Sequence, residues 1–403
     1  MQGSWRTPAV VLACGTIILF ISFGARNIFG LLLDPMTTSL GWSVASFSDA
    51  VSIQLLVWGL TTPITAALAD RFGTAKMVGI GGALYAAGMF LTAHVTTPGE
   101  MTITAGFMMG LGLSATGFPM ILAAVTKRVD AKRRSLFLGI GSAAGSSGQL
   151  ALVPLGQFFI SGYDWMVALM AFAAIVAAIV MLSFALADPR RETGPASGPQ
   201  QALGAALREA CSHRGFILLT AGYFVCGFQV QFLGNHFPKL LLEEGQTAWV
   251  GAMAISIIGF TNIIGTLAWG AMGGRWRMKN LLSMIYILRS AVMTLFFVLP
   301  ITATGTYLFS AAIGFLWLAT VPLTTGLVAR IFGIRYMATL TGLVFFSHQL
   351  GSFFGVWLGG KLFTQTGSYD TIWWTAVGLG LVAALLHYPI DDRPVVRTAT
   401  QGA

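Results

Sequence analysis

Residues 66–76 read Ala66-Ala67-Leu68-Ala69-Asp70-Arg71-Phe72-Gly73-Thr74-Ala75-Lys76. Residues 270–279 read Gly270-Ala271-Met272-Gly273-Gly274-Arg275-Trp276-Arg277-Met278-Lys279. Each is a short basic island between two apolar runs. They stand in near-constant register, 204 residues from Arg71 to Arg275 and 203 from Lys76 to Lys279. Other landmarks share this shift: Pro119 with Pro322, Lys127 with Arg330, Lys132 with Arg335, and Gly139, Gly148 and Gly156 with Gly342, Gly351 and Gly359. Gly30 falls on Gly234 at 204. A chain that repeats its glycines, prolines and cations in this way consists of two copies of one unit.

A membrane-spanning helix needs about 20 mainly apolar residues. Twelve such runs occur, at 8–33, 47–68, 75–95, 101–124, 135–160, 164–187, 215–242, 248–271, 280–299, 305–329, 337–361 and 370–388. Of the 403 residues, 56% are hydrophobic and only 9% charged, with a mean hydropathy of +0.78. Soluble domains carry about 25% charged residues, so this chain cannot coat a water-facing surface. The expected architecture is all-α, with twelve transmembrane helices in two six-helix bundles. Residues 1–187 form the first bundle, 188–214 a polar linker, and 215–403 the second bundle with a short tail. Parallel repeats of this kind place a binding site at the seam between them. The first run is longer than a signal peptide's apolar region and reads as a span without cleavage.

The net charge of +9 suggests a nucleic-acid partner at first sight, but its distribution points elsewhere. With twelve spans both termini share one side. That side holds 19 of the 23 cations, among them Arg6, Arg71, Lys76, the run Lys127–Arg134, Arg190, Arg191, Arg275, Arg277, Lys279, Arg330, Arg335 and Arg397. The positive-inside rule puts that side in the cytoplasm. The expectation is a multi-pass inner or plasma membrane protein, a monomer in the lipid bilayer, with cytoplasmic termini and no nucleic-acid partner.

Three cysteines, Cys14, Cys211 and Cys226, give no disulfide framework and no metal spacing. Gly110-Leu111-Gly112-Leu113-Ser114-Ala115 and Gly139-Ile140-Gly141-Ser142-Ala143-Ala144 match a dinucleotide pattern. Both lie inside apolar helices with no preceding strand, so neither is a cofactor site. No nucleophile triad appears; the chain reads as a non-enzyme without metal or cofactor.

The two islands resemble the G-x-x-x-D-R/K-x-G-x-R/K signature of the major facilitator superfamily, and the twelve runs and central linker extend that resemblance over the whole chain. Ala66 replaces the usual first glycine, and Gly274 replaces the acid in the second copy, which therefore lacks a charge lock. The resemblance implies that Asp70, Arg71, Gly73 and Lys76, with Arg275 and Arg277, gate the cytoplasmic side, Asp70 meeting a helix N-terminus and the basic loop 127–134. Within the superfamily, Ser22–Phe47 is similar to the first span and following loop of the monocarboxylate porter and oxalate/formate exchanger branch, with Trp317, Pro322, His348 and Gln349 a looser match. That branch often carries an acid and an arginine four residues apart in span 8; here Asn262 and Thr266 stand there.

Charge within a bilayer is costly and marks function by default. Arg26 lies roughly 27 Å along the first span from Pro8, at about 1.5 Å per residue. Its repeat partner is Val230, so the fold does not require the charge. Arginine binds carboxylates through paired hydrogen bonds. The candidate substrate site is Arg26 with Asn27, Gln149, Asn262, Trp317, Phe345 and His348. His348 fits a hydrogen-bonded core residue as well as a substrate or proton site. Trp317 and Phe345 fit packing as well as a cavity wall. Arg289, in a peripheral ninth span, reads as structural more readily than functional, and Lys239 as a snorkelling end residue. The intramembrane amides, including Gln229, Gln231 and Asn235, fit helix–helix glue. The expected activity is secondary transport of a small mono- or dicarboxylate by alternating access, with symport and antiport both open and protons a further partner. The alternative is a carrier for a larger amphipathic compound such as a drug or vitamin.

Overall fold

The computed structural model describes residues 7–126, 134–187, 203–333 and 336–395. Ten helices among these are long and apolar enough to cross a membrane: α1 (Ala9–Leu40), α2 (Val44–Phe72), α3 (Thr74–Thr92), α4 (Pro98–Leu122), α6 (Trp165–Leu186), α7 (Arg214–Glu243), α8 (Ala248–Gly273), α9 (Met278–Val298), α10 (Ala303–Phe332) and α12 (Asp370–His387). Two further helices of spanning length, α5 (Arg134–Gly162) and α11 (Met337–Thr366), complete the series of twelve. Both are rich in Gly, Ser and Gln, which lowers their hydropathy and lets them pack closely. A short helix, Leu203–Ser212, precedes α7. Arg6, Lys127, Arg128, Lys132, Arg133, Arg190, Arg191, Arg335 and Arg397, and with them the expected partner loop of Asp70, lie outside the described residues.

One boundary differs from expectation. α1 does not end near residue 33 but continues to Leu40, stopped by Gly41 in the left-handed region at φ 66°. Pro35 lies within it, and only a small bend at Ile28 marks the middle. Asp34 is therefore a helical residue facing a neighbour, not a loop acid. α4 contains a π-helical turn at Thr102–Met108, and α10 is broken between Leu316 and Thr320.

Helix pairing repeats between the two sets of six. α1 packs on α5 as α7 packs on α11; α2 packs on α4 as α8 on α10; α3 packs on α6 as α9 on α12. Two apolar clusters result. One centres on Phe29, Phe47, Tyr85 and Phe172, the other on Phe237, Tyr286, Met293 and Trp373. The sets meet mainly through three pairs, α1 with α7, α2 with α11, and α5 with α8. Large apolar side chains such as Ile64, Ile80, Met181, Leu267, Leu308 and Leu385 cover the outside, as lipid contact requires.

Glycine allows the tightest of these contacts. A Cβ on Gly148 would collide with the Phe20 carbonyl, and one on Gly351 with the Phe224 carbonyl. These are repeat-equivalent crossings, α1 on α5 and α7 on α11. Gly342 on the same helix as Gly351 faces open space. Gly351→Ala should cost about 1–3 kcal/mol through overpacking, whereas Gly342→Ala should be neutral or slightly stabilising. Melting temperatures of the two variants in detergent check this; equal shifts would contradict the packing account.

Candidate functional site

The seam between the two sets is polar at its middle and far end, away from the termini. Arg26 on α1 is only 3% exposed. Its Nη2 donates to Gln231 Oε1 on α7 at 2.8 Å. The same amide oxygen accepts from Asn235 Nδ2 at 3.2 Å. Arg26 Nε is buried without a partner, as is Asn235 Oδ1. One turn further, a Cβ on Gly30 would collide with the Gly234 carbonyl, so α1 comes up against the α7 backbone, whereas a Cβ on Gly234 would meet nothing within 4 Å. These two glycines are repeat equivalents, so α1 and α7 cross on the pseudo-twofold axis that relates the two units. At the far end Lys239 Nζ binds Asp34 across the seam and Glu243 on its own helix, each at 2.6 Å. Lys361 on α11 binds Asp49 on α2 at 3.1 Å, and the Ala45 N–H donates to Thr364 Oγ1 at 2.9 Å.

Aromatic rings carry the seam from one unit to the other. Phe118 packs on Phe23 (4.1 Å between centroids), Phe23 on Trp58 (5.7 Å), and Trp58 on Phe345 across the seam (6.1 Å). Phe345 then stacks on His348 at 5.9 Å, and His348 meets Tyr223 at 5.0 Å. Phe23 lies one turn from Arg26 on α1. The indole N–H of Trp58 is buried without a partner. Trp58, Phe23 and Tyr223 were not singled out by the sequence, because an aromatic in an apolar run carries no sign of which face it occupies.

The remaining candidates divide. Phe345 and His348 border the row, and His348 Nδ1 lies 3.2 Å from Gln349 Oε1. Asn27 turns its amide back to the Phe23 carbonyl at 2.8 Å. Gln149 donates to the Ile255 carbonyl of α8 at 2.9 Å, joining the units. Asn262 spends both ends on protein groups: Nδ2 donates to Ser146 Oγ at 2.8 Å, and Oδ1 accepts from the Leu318 N–H at 2.9 Å and Thr266 Oγ1 at 3.1 Å. Trp317 packs inside the second apolar cluster. At the terminal side Asp70, Arg71 and Lys76 are exposed, Arg71 lying over the Phe72 ring, and Gly73 adopts φ 99°, which glycine tolerates best. Arg275 is exposed, and Arg277 reaches Asp392 near the end of the chain.

Arg289 is the second deeply buried cation, at 2% exposure. Its Nε and Nη2 donate to the Leu316 carbonyl at 3.1 and 2.7 Å, and Nη2 also reaches the Trp317 carbonyl. Nη1 lies 3.5 Å from both Cys226 Sγ and Gln229 Oε1. These are the carbonyls freed where α10 breaks, and Asn262 holds the Leu318 N–H of the same break. In hydrocarbon such groups must find partners within the protein. Arg289 and Asn262 thus brace a broken helix. Arg289→Gln should leave carbonyls unsatisfied at about 1–3 kcal/mol each and lower the melting temperature while substrate KM stays near that of the parent. A large KM change with unaltered melting would assign Arg289 to the cargo instead.

A buried polar seam between two like six-helix units is the architecture of a membrane carrier. Residues 15–356 match the model of the Major Facilitator Superfamily, and the chain belongs to that family. It is 25% identical over 396 residues to monocarboxylate transporter 13 of Bos taurus, covering 96% of this chain and 91% of that protein. It is 26% identical to monocarboxylate transporter 11 of Mus musculus, over 92% of this chain and 83% of that protein. Among solved structures, a bacterial homologue of the human lysosomal transporter Spinster, inward-facing and unoccupied, superimposes with TM-score 0.76 at 15% identity, over 96% of this chain and 97% of that one. A D-xylose–proton symporter gives 0.73 at 15% identity, over 97% and 100%. The protein is a multi-pass membrane transporter and not an enzyme, and its substrate is a small molecule.

Proposed function

We propose that this carrier moves a small organic anion, a mono- or dicarboxylate, by alternating access at the seam. The observation that carries this is Arg26. Its guanidinium is buried beside the crossing of α1 and α7, it donates across the seam to a neutral amide, and its Nε has no partner among the described residues. A charge-assisted carboxylate is the group that answers such a site best. Substrate binding would take Arg26 from Gln231, and His348 and Phe345 would border the cargo. The names of the relatives support a carboxylate. The carrier works as a monomer, since the seam is built within one chain, and the cation-rich side with both termini faces the cytoplasm. The ion pairs at the far end hold that side shut in this conformation. The units 1–187 and 215–403 rock about the Gly30–Gly234 crossing, and Asp70, Arg71, Gly73 and Lys76 act at the closing cytoplasmic ends.

In proteoliposomes Arg26→Gln should raise the KM for carboxylate uptake at least about tenfold, from the loss of about 1.5–3 kcal/mol in charged hydrogen bonding. An unchanged KM would remove Arg26 from the site. Flux that requires an anion on the opposite face marks exchange, and flux driven by a proton gradient marks symport. The row Phe23–Trp58–Phe345 favours a second reading, an amphipathic cargo. Such a cargo keeps its affinity in Arg26→Gln and loses it in Trp58→Ala.

A further inference from the structure

α9 and α12 pack along their length, and their lipid-facing side is not flush. A groove of about 410 Å³ runs between them, with Ala291, Thr294 and Leu295 of α9 on one wall and Val377 and Leu381 of α12 on the other. Its lining atoms are almost all apolar. The floor is closed within the unit: Ser290 Oγ donates to the Val377 carbonyl at 3.0 Å, and Trp373 Nε1 to the Met293 carbonyl at 3.0 Å. From Ile287 to Val298 the groove extends about 16 Å, at about 1.5 Å per residue. That is one leaflet, half of a hydrocarbon core about 30 Å thick. Val298 ends α9 and Asp370 begins α12, so this is the leaflet of the far end.

One stripe of α12 leads out of the groove. Leu381, Gly378, Trp374 and Asp370 are all exposed and follow one another at three or four residues, so they share a face of the helix. A Cβ on Gly378 would meet nothing within 4 Å, which leaves the helix backbone open to close approach. Trp374 meets Phe297 edge-on, with 5.8 Å between centroids. Asp370 stands at the membrane boundary, and among the described residues no ion pair engages it. The first unit has no such face. At the shift of 204 that Gly30 and Gly234 share, Phe90, Met166 and Met170 stand for Thr294, Asp370 and Trp374.

We propose that this face of α9 and α12 binds one phospholipid of the far leaflet whose headgroup carries a primary amine. An acyl chain fills the groove. The indole N–H of Trp374 reaches the ester region, where such amphipathic rings settle. The ammonium group pairs with Asp370, which an anionic headgroup would meet as a like charge. A transmembrane helix is a poorer occupant: over about 16 Å, a cylinder about 10 Å across takes roughly 1,200 Å³, some three times the groove.

Native mass spectrometry tests this on the full chain, stripped of lipid in detergent and titrated with phosphatidylethanolamine or phosphatidylglycerol. The parent should bind one molecule and favour phosphatidylethanolamine about two- to fivefold, the range an exposed ion pair supplies. Asp370→Asn should bind the two lipids alike. Thr294→Phe, which copies the first unit's Phe90, should weaken binding of both lipids at least about tenfold, the effect of keeping two methylene groups out of the groove. Ala291→Leu should do the same should Thr294→Phe fail to fold. Equal binding of the two lipids by the parent, a preference kept in Asp370→Asn, or undiminished binding in the groove variants overturns the proposal. A dimer that persists without lipid and dissociates in Thr294→Phe also overturns it, and gives the face to a second copy of the chain.

Discussion

In hydrocarbon no water is at hand to solvate a charge or a backbone carbonyl, so each must be answered from within the chain. The two buried arginines show what that constraint builds. Arg289 is met by the carbonyls of a broken α10, a thiol and an amide, all from one unit. Its charge and the broken helix satisfy one another, and nothing further is needed. Arg26 is met by one amide oxygen from the opposite unit. The first arrangement is closed and the second depends on the two units staying together. A charge held in that way would lose its partner if the seam parted.

Duplication gives the seam its form. The same three pairings recur within each unit, and the contacts between units are themselves related by the repeat: α2 on α11 answers α8 on α5. Residues near the axis meet their own equivalents, as Gly30 meets Gly234. Function enters where the copies differ. Arg26 has Val230 as its equivalent, His348 has Gly145, and Asp70 has Gly274. The site is thus a set of departures from a symmetric frame, placed at the contact that the frame leaves between its halves.

Most of the frame was legible in the sequence, because hydrophobic length, loop charge and glycine spacing are one-dimensional records of a bilayer. The extent of α1 was not. Pro35 and Asp34 read as a loop, yet Pro35 lies within the helix and Asp34 has a lysine facing it. Arg26 stood out because charge in an apolar run is rare. Asn262 stood out for the same reason, although both ends of its amide are held by Ser146, Thr266 and Leu318. Polarity in a span shows that a partner is required and does not show whether that partner is protein or cargo. Trp58 and Tyr223 carried no such mark, since facing the seam or the lipid is decided by helix rotation, which apolar composition leaves undetermined. The Arg277–Asp392 pair joins residues 115 positions apart, and no local pattern links them.

Lys239 holds two carboxylates at once, Asp34 from α1 and Glu243 from a turn along its own helix. Were α1 and α7 to part, the lysine would keep a counter-ion and only Asp34 would be left uncompensated. The electrostatic cost of such an opening would fall on one helix of the pair, at the end nearest water, where a lone carboxylate is solvated most cheaply. A lysine with a single partner would strand two charges instead of one. A doubled pairing of this kind would hold the far end shut without making it correspondingly hard to open.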